Sequence, residues 1–182
     1  LQLYVSEGRK VLDYLSDKGF EIFLDLKLHD IPNTVRKTIK EISNFNVSMT
    51  TIHLQGGRDM IEASLESSLR TKIIGVSILT SLNETDVNEI YGSHFNDQFR
   101  RAINLAEITN IDGIVCSPKE LIQLKDLNKI KVVPGIRNKV ANDDQKRTMS
   151  ASEAYKNGAD FIVVGRPITK ADNIKEAILD YS

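Results

Sequence analysis

Residues 22–34 read IFLDLKLHDIPNT and set three charged side chains, Asp25, Lys27 and Asp30, into an apolar strand and its exit. Side chains on a strand alternate between two faces, so Asp25 and Lys27 share the face opposite to the leucines. Two charges on a buried face are costly unless they pair, and these two residues alone fit a structural ion pair as well as a catalytic one. Asp30 brings a second carboxylate to the same lysine, which is more charge than packing requires. The stretch therefore predicts a catalytic strand.

The overall composition is typical of one near-neutral globular domain. The chain has 182 residues, and its 24 Lys and Arg residues almost cancel its 25 Asp and Glu residues. This balance indicates neither a nucleic-acid-binding surface nor a disordered acidic tail. No apolar run approaches the roughly 20 residues that cross a bilayer, so we expect no membrane segment.

Cysteine and histidine usage favours a reducing compartment and chemistry without a metal. The single cysteine, Cys116, excludes an intramolecular disulfide, so we expect a cytoplasmic protein in which this thiol is a small apolar filler. The three histidines, His29, His53 and His94, show none of the spacings typical of metal ligands. We therefore expect no metal site.

Short apolar strands alternate with amphipathic helices along the whole chain. Strands are predicted at residues 22–28, 49–53, 73–79, 113–116, 131–133 and 161–164. Helices are predicted at residues 6–18, 32–45, 59–69, 96–109, 118–124, 152–157 and 174–180. This alternation indicates a parallel sheet covered on both faces, either doubly wound or closed as a β/α barrel.

The positions of the polar residues favour the barrel. Polar or glycine-rich stretches follow the predicted strands at residues 27–30, 53–57, 80–81, 117, 134–137 and 165–166. In a β/α barrel these loops converge on one mouth, whereas a doubly wound sheet concentrates them at its switch point and often carries a GxGxxG fingerprint, which is absent here. We predict an α/β protein with the (β/α)8 TIM-barrel fold and a single domain over residues 1–182. Because six strands are counted and a barrel closes with eight, we expect two strands and one helix to be missing at the N-terminus.

Co-linear motifs resemble those of the orotidine 5′-phosphate decarboxylase family. The pattern Asp25-x-Lys27-x-x-Asp30 also occurs in sugar-phosphate decarboxylases and synthases on a related barrel, but the following Ile-Pro-Asn-Thr at residues 31–34 points to the orotidine enzymes. Further matches follow in order: His53-x-x-Gly56-Gly57, Leu79-Thr80-Ser81, Asp112-Gly113-x-Val115-Cys116-Ser117, Pro134-Gly135-Ile136-Arg137, Asp144-Gln145-x-Arg147 and Gly165-Arg166-Pro167-Ile168-Thr169. The resemblance covers essentially the whole chain.

The resemblance implies a cofactor-free, homodimeric enzyme that decarboxylates orotidine 5′-monophosphate to uridine 5′-monophosphate, the last step of de novo pyrimidine nucleotide synthesis. The departing carboxylate leaves a ring carbanion, which the Lys27 ammonium would stabilise and protonate. Asp25 would hold that ammonium in place and keep it charged. Asp30, Ile31 and Thr34 would reach the site of the neighbouring subunit. A helix cap before Pro32 is the alternative role for Asp30.

The resemblance also assigns substrate contacts further along the chain. Gly165 and Arg166 would hold the phosphate, a group that a backbone N–H, a short helix N-terminus and a guanidinium suit well. A glycine turn beside a solvated arginine is the plainer interpretation. Arg137 and Gln145, in a long polar loop, would reach the substrate, with Gln145 bridging toward the phosphate. That loop departs from the usual family pattern at residues 138–140.

Thr80 and Ser81 would contact the pyrimidine ring. His53 is expected to be a hydrogen-bonded wall residue rather than an acid or base.

Two alternatives stay open from the sequence. A sibling enzyme acting on a keto-sugar phosphate would use the same strand with Mg²⁺. A non-catalytic phosphate-binding remnant is the other, because the family's first strand supplies an Asp and its second strand a Lys that have no counterpart here. For the same reason we expect the 182 residues alone neither to fold stably nor to turn over.

Overall fold

The computed structural model describes residues 1–138 and 149–181, in which short strands alternate with helices. The strands are β1 (Ile22–Leu28), β2 (Val47–His53), β3 (Lys72–Val76), β4 (Gly113–Val115), β5 (Ile130–Pro134) and β6 (Phe161–Val163). The helices are α1 (Gln2–Glu7), α2 (Arg9–Asp17), α3 (Pro32–Ile42), α4 (Arg58–Ser67), α5 (Glu84–Tyr91), α6 (Phe95–Ile108), α7 (Pro118–Leu121), α8 (Ala151–Lys156), α9 (Arg166–Thr169) and α10 (Ile174–Leu179). All six predicted strands are confirmed, with ends that differ by up to three residues.

The chain groups into two compact units. The first comprises Leu1–Ser77 with Arg100–Gly113, and the second comprises Ile78–Phe99 with Ile114–Ser182. A single domain over the whole chain stays a prediction.

In the first unit β1, β2 and β3 are neighbours in chain order and all pairs are parallel. The β1–β2 register is irregular, because β1 advances from Leu24 to Leu28 while β2 advances only from Thr50 to Ile52. The strict alternation predicted for β1 is therefore interrupted after Leu24, which is buried, whereas Leu26 is only half-buried. This interruption falls on the segment that carries the charged residues.

Apolar packing in the first unit follows the predicted helix stripes. Val35, Ile39 and Ile42 of α3 are buried, as their helical spacing predicted. Gly75 of β3 lies so close to the core that an added Cβ would stand 2.5 Å from Leu54 Cδ2 and 3.2 Å from Ile111 Cδ1. The absence of a side chain at position 75 lets these two fully buried residues pack across the strand.

In the second unit β5 and β6 are parallel, with Val132 opposite Phe161. The end of β4 joins them through the Cys116 N–H, which donates to the Val132 carbonyl at 3.2 Å. Cys116 is buried, and burial raises the pKa of its thiol, so it is an inert core residue as expected.

Two aspartates fix the starts of strands in the same way. Asp112, directly before β4, accepts the Ile73 N–H near the start of β3 at 2.8 Å. Asp160, directly before β6, accepts the Lys131 N–H near the start of β5, also at 2.8 Å. Each carboxylate thus takes up a strand N–H at the point where the neighbouring strand begins.

The helix predictions fail for the first helix and for α5, and the short α9 was also not among the predicted helices. The helix predicted at residues 6–18 is two helices, because Gly8 has φ 60° and interrupts them. Helix α5 was not predicted, although Asn83 and Asp86 form the capping box that starts it. Across the described residues, no helix has both the length and the apolarity needed to cross a membrane.

Substituting Gly75→Ala is expected to destabilise the protein by about 1–3 kcal/mol, because the methyl group overpacks Leu54 and Ile111. Urea denaturation checks this. In a Leu54→Ala background, which provides space, the same substitution is expected to cost clearly less. Equal costs in the two backgrounds would contradict the packing argument.

Candidate active site

Asp25 and Lys27 form an ion pair on β1. The distance between Lys27 Nζ and Asp25 Oδ2 is 2.5 Å, and the side chains are 37% and 39% exposed, respectively. The sequence pattern had indicated a buried face for this pair. In the structure the pair is instead open to solvent. A pair this exposed contributes little to stability, because water screens it. Its position leaves the ammonium accessible to a small molecule.

The backbone at Lys27 is unusual for a residue with a side chain. Lys27 has φ 54°, in the left-handed region that residues other than glycine rarely adopt. Its N–H donates to Thr51 Oγ1 of β2 at 2.8 Å. The Thr51 hydroxyl in turn donates to Asp25 Oδ1 at 2.7 Å. One buried hydroxyl thus contacts both residues of the pair.

Thr51 is a residue that the sequence reasoning missed. The only signal for it was a hydroxyl within the apolar strand predicted at residues 49–53. Finding it from the sequence required the register between β1 and β2, which the irregularity after Leu24 conceals.

Two histidines lie next to each other in the same unit. The ring centroids of His29 and His53 are 5.3 Å apart. Burial, the largest cause, lowers the pKa of the His53 imidazole, and the neighbouring His29 lowers it further. A hydrogen bond with Gln55 opposes this shift. The lowered pKa makes His53 a poor proton donor, and its role as a wall residue stays a prediction.

The residues that follow β1 are exposed. Asp30 Oδ1 accepts the Ile31 N–H at 2.7 Å, and Ile31, 66% exposed, is the residue that precedes α3. Asp30 therefore does not cap α3, which has no side-chain cap, and the capping alternative is not what the structure shows. Thr34, also exposed, donates its N–H to the Ile31 carbonyl at 3.0 Å. The Ile31 side chain and the Asp30 carboxylate are thus both exposed to solvent.

The other predicted site residues belong to the second unit. Thr80 is half-buried and Ser81 exposed, in the loop before α5. Arg137 follows β5; its guanidinium donates to the Ile136 carbonyl at 2.8 Å, and its N–H donates to the Met149 carbonyl at 2.9 Å. Gln145 lies outside the described residues.

Gly165 and Arg166 directly follow the last strand. Gly165 is exposed, with open space beside its Cα, and Arg166 is the half-buried first residue of α9. The predicted phosphate site is thus at the carboxyl end of β6, where β/α proteins commonly place ligand contacts.

No metal centre is found among residues 1–138 and 149–181, which contain no group of three His, Cys, Asp or Glu residues placed to hold an ion. The structure thus brings together Asp25 and Lys27 in the first unit, with Asp30, Ile31 and Thr34 following them in the chain.

Comparison with known proteins gives a consistent family assignment. The family model for the orotidine 5′-phosphate decarboxylase / HUMPS family matches residues 1–181. The orotidine 5′-phosphate decarboxylase of Laribacter hongkongensis is 42% identical over 178 residues, which cover 93% of this chain and 74% of that protein. The orotidine 5′-phosphate decarboxylase of Saccharophagus degradans is 39% identical over 97% of this chain and 78% of its own length.

A solved structure agrees with the sequence relatives. The crystal structure of orotidine 5′-phosphate decarboxylase from Lactobacillus acidophilus matches with a TM-score of 0.81 and 32% identity, over 96% of this chain and 81% of that one. The predicted β/α-barrel fold class is confirmed by this likeness and by the parallel strands with intervening helices. From the family model, the relatives and the shared fold it follows that the chain belongs to the orotidine 5′-phosphate decarboxylase / HUMPS family.

Proposed function

We propose that this protein decarboxylates orotidine 5′-monophosphate to uridine 5′-monophosphate and CO₂ without a cofactor, the last step of de novo pyrimidine nucleotide synthesis. The observation that carries the proposal is the solvent-accessible Asp25–Lys27 pair on β1. The names of the sequence relatives support the same reaction.

Lys27 is the proposed proton donor. The bond between ring carbon C6 and the carboxylate carbon breaks, its electron pair stays on C6, and CO₂ leaves. The Lys27 ammonium stabilises this charge as it develops and then transfers a proton to C6. Water returns a proton to the amine, so the enzyme ends the cycle unchanged.

Asp25 is proposed to hold the ammonium in position. Its Oδ2 is 2.5 Å from Lys27 Nζ, so the ammonium is already oriented before substrate binds. Fixed charges of this kind accelerate a reaction because they need no reorganisation in the transition state.

Binding of the substrate's two ends is assigned to the second unit. We propose that Gly165 and Arg166 bind the phosphate and that Thr80 and Ser81 contact the pyrimidine ring. Arg137 and Gln145 are the remaining proposed contacts. Binding energy from the phosphate, remote from the reacting carbon, can be used to lower the barrier of the chemical step.

The proposed active form is a homodimer. Asp30, Ile31 and Thr34 are all exposed, and the large apolar side chain of Ile31, 66% exposed, suits a contact with a second copy of the chain. We propose that these three residues enter the partner's site. A cytoplasmic location is proposed on the single, free and buried Cys116.

A Mg²⁺-dependent reaction on a sugar phosphate is less well supported. The Ile-Pro-Asn-Thr stretch at residues 31–34 and the names of the relatives favour the orotidine reaction. A phosphate-binding remnant is not favoured either, since the Asp25, Lys27 and Asp30 set is complete.

The Lys27→Ala variant is expected to lose at least about 1,000-fold in kcat for orotidylate, because it removes the proton donor. The fall in ultraviolet absorbance of orotidylate, followed with EDTA present, measures the reaction. Lys37→Ala, at an exposed position on α3, is the matched control and keeps full activity. Wild-type turnover that requires Mg²⁺, or equal turnover by Lys27→Ala, would contradict the proposal.

Arg166→Ala is expected to lower kcat/KM for orotidylate by about 100-fold, because a charge-assisted contact to the phosphate is lost. Activity on orotidine, which lacks the phosphate, is expected to stay unchanged. Arg101→Ala, an exposed arginine on α6, is the control. Equal losses on both substrates would place Arg166 outside the phosphate site.

Ile31→Lys is expected to weaken the homodimer about 30-fold or more, because it puts a charge into an apolar contact. Sedimentation velocity over a range of protein concentrations measures the dissociation constant. Ile108→Lys, at another exposed isoleucine, is expected to leave the dissociation constant unchanged. A monomeric wild-type protein with full activity would overturn the dimer proposal.

A further inference from the structure

We propose that Thr51 is the positioning residue of the active site, whose hydroxyl fixes both partners of the Asp25–Lys27 pair. The inference rests on the proposed function in assigning Lys27 to proton transfer. The geometry that carries it lies entirely within the first unit of the fold.

The Thr51 hydroxyl makes two hydrogen bonds, one as acceptor and one as donor. Its oxygen accepts the Lys27 N–H at 2.8 Å, and its proton is donated to Asp25 Oδ1 at 2.7 Å. Asp25 then has one carboxylate oxygen on Thr51 and the other on Lys27 Nζ. Thr51, Asp25 and Lys27 thus form a closed ring of contacts. In this ring the Thr51 hydroxyl oxygen binds both the Lys27 backbone N–H and the Asp25 carboxylate.

The Thr51 hydroxyl lies opposite the irregular part of β1, where the Lys27 N–H has no strand carbonyl as its partner. Between the pairs Leu24–Thr50 and Leu28–Ile52, β1 contains three residues and β2 contains only one, which is Thr51. The Lys27 N–H therefore bonds to a side-chain oxygen of β2 rather than to a strand carbonyl. This bond holds Lys27 in its left-handed conformation, which an unassisted lysine disfavours.

Thr51 is suited to this role by rigidity and burial. It is fully buried, and a β-branched side chain in a strand has little rotameric freedom. Hydrogen bonds away from water are also stronger electrostatically than exposed ones. Its contacts therefore orient the exposed ion pair from beneath, without Thr51 itself touching the substrate.

The adjacent Thr50 provides an internal control. It is equally buried on the same strand, and its hydroxyl donates to the Leu24 carbonyl at 2.8 Å. It therefore binds the same neighbouring strand through one hydroxyl, but it makes no hydrogen bond to Asp25 or Lys27 among the described contacts. Replacing each threonine by valine removes the same atom from the same kind of environment.

The test compares Thr51→Val, Thr51→Ser and Thr50→Val with the wild-type protein. Thr51→Val is expected to lower kcat for orotidylate roughly 10- to 100-fold with KM changed less than about threefold, because the pair is misplaced while phosphate binding is kept. Thr51→Ser, which keeps the hydroxyl, is expected to restore kcat to within about threefold. Thr50→Val is expected to keep kcat, whatever it costs in stability.

A second measurement does not depend on activity. Amide hydrogen exchange followed by NMR is expected to show the Lys27 N–H exchanging about tenfold faster in Thr51→Val, because its acceptor is gone. The Lys27 amide is expected to exchange at the wild-type rate in Thr50→Val, and neighbouring β1 amides serve as the internal reference. A general loosening of the sheet would raise all of these rates together.

The outcomes separate this inference from the proposed function. Equal kcat in Thr51→Val and Thr50→Val, or an unchanged Lys27 exchange rate in Thr51→Val, would overturn the positioning role. A full-length protein that contains these residues and shows no decarboxylase activity would overturn the proposed function, and the Lys27 exchange rate would still decide whether Thr51 holds the pair.

Discussion

The candidate site in the first unit depends on one buried hydroxyl, that of Thr51, which binds both members of the charge pair on the neighbouring strand. Asp25 and Lys27 lie on one strand, two residues apart, and their charged atoms are 2.5 Å apart. Residues two apart in a strand point the same way and are about 7 Å apart, a distance that a long lysine side chain spans. At this pair the register between β1 and β2 is irregular, and Lys27 has a left-handed backbone. The buried hydroxyl of β2 then satisfies the backbone group that this irregularity displaces. One hydroxyl thus serves both the irregular backbone of β1 and the ion pair that this backbone carries.

The sequence predicted the parts of the molecule that depend on local pattern. Asp25 and Lys27 were identified because charges are conspicuous in an apolar strand, and α3 was identified because Pro32 precedes a regular apolar stripe. Each of these two patterns spans only a few neighbouring residues, so it can be recognised in a single sequence. The fold class followed from the alternation of strands and helices, and the family relatives confirm it.

What the sequence did not predict depends on contacts between distant residues or on backbone conformation. Thr51 was missed because its role depends on the register between two strands, which sequence alternation alone does not define. The exposure of the ion pair was missed because strict alternation was assumed through Lys27, whose positive φ breaks it. Gly8 was treated as part of a helix although its φ of 60° ends one helix before the next begins. In each case one backbone angle or one strand offset outweighs the periodic pattern.

The two aspartates before β4 and β6 have a consequence for how freely the strands can change during evolution. Each of them holds an N–H at the start of a neighbouring strand with a carboxylate oxygen, at 2.8 Å in both cases. Register in a sheet is otherwise defined by which side chains face the core. With the strand starts fixed by Asp112 and Asp160, the interiors of β3 and β5 are free to exchange valine, isoleucine and leucine while the loops at the opposite strand ends keep their alignment. Hydrogen bonds at the amino ends of the strands thereby keep the loops at the carboxyl ends aligned when core residues change.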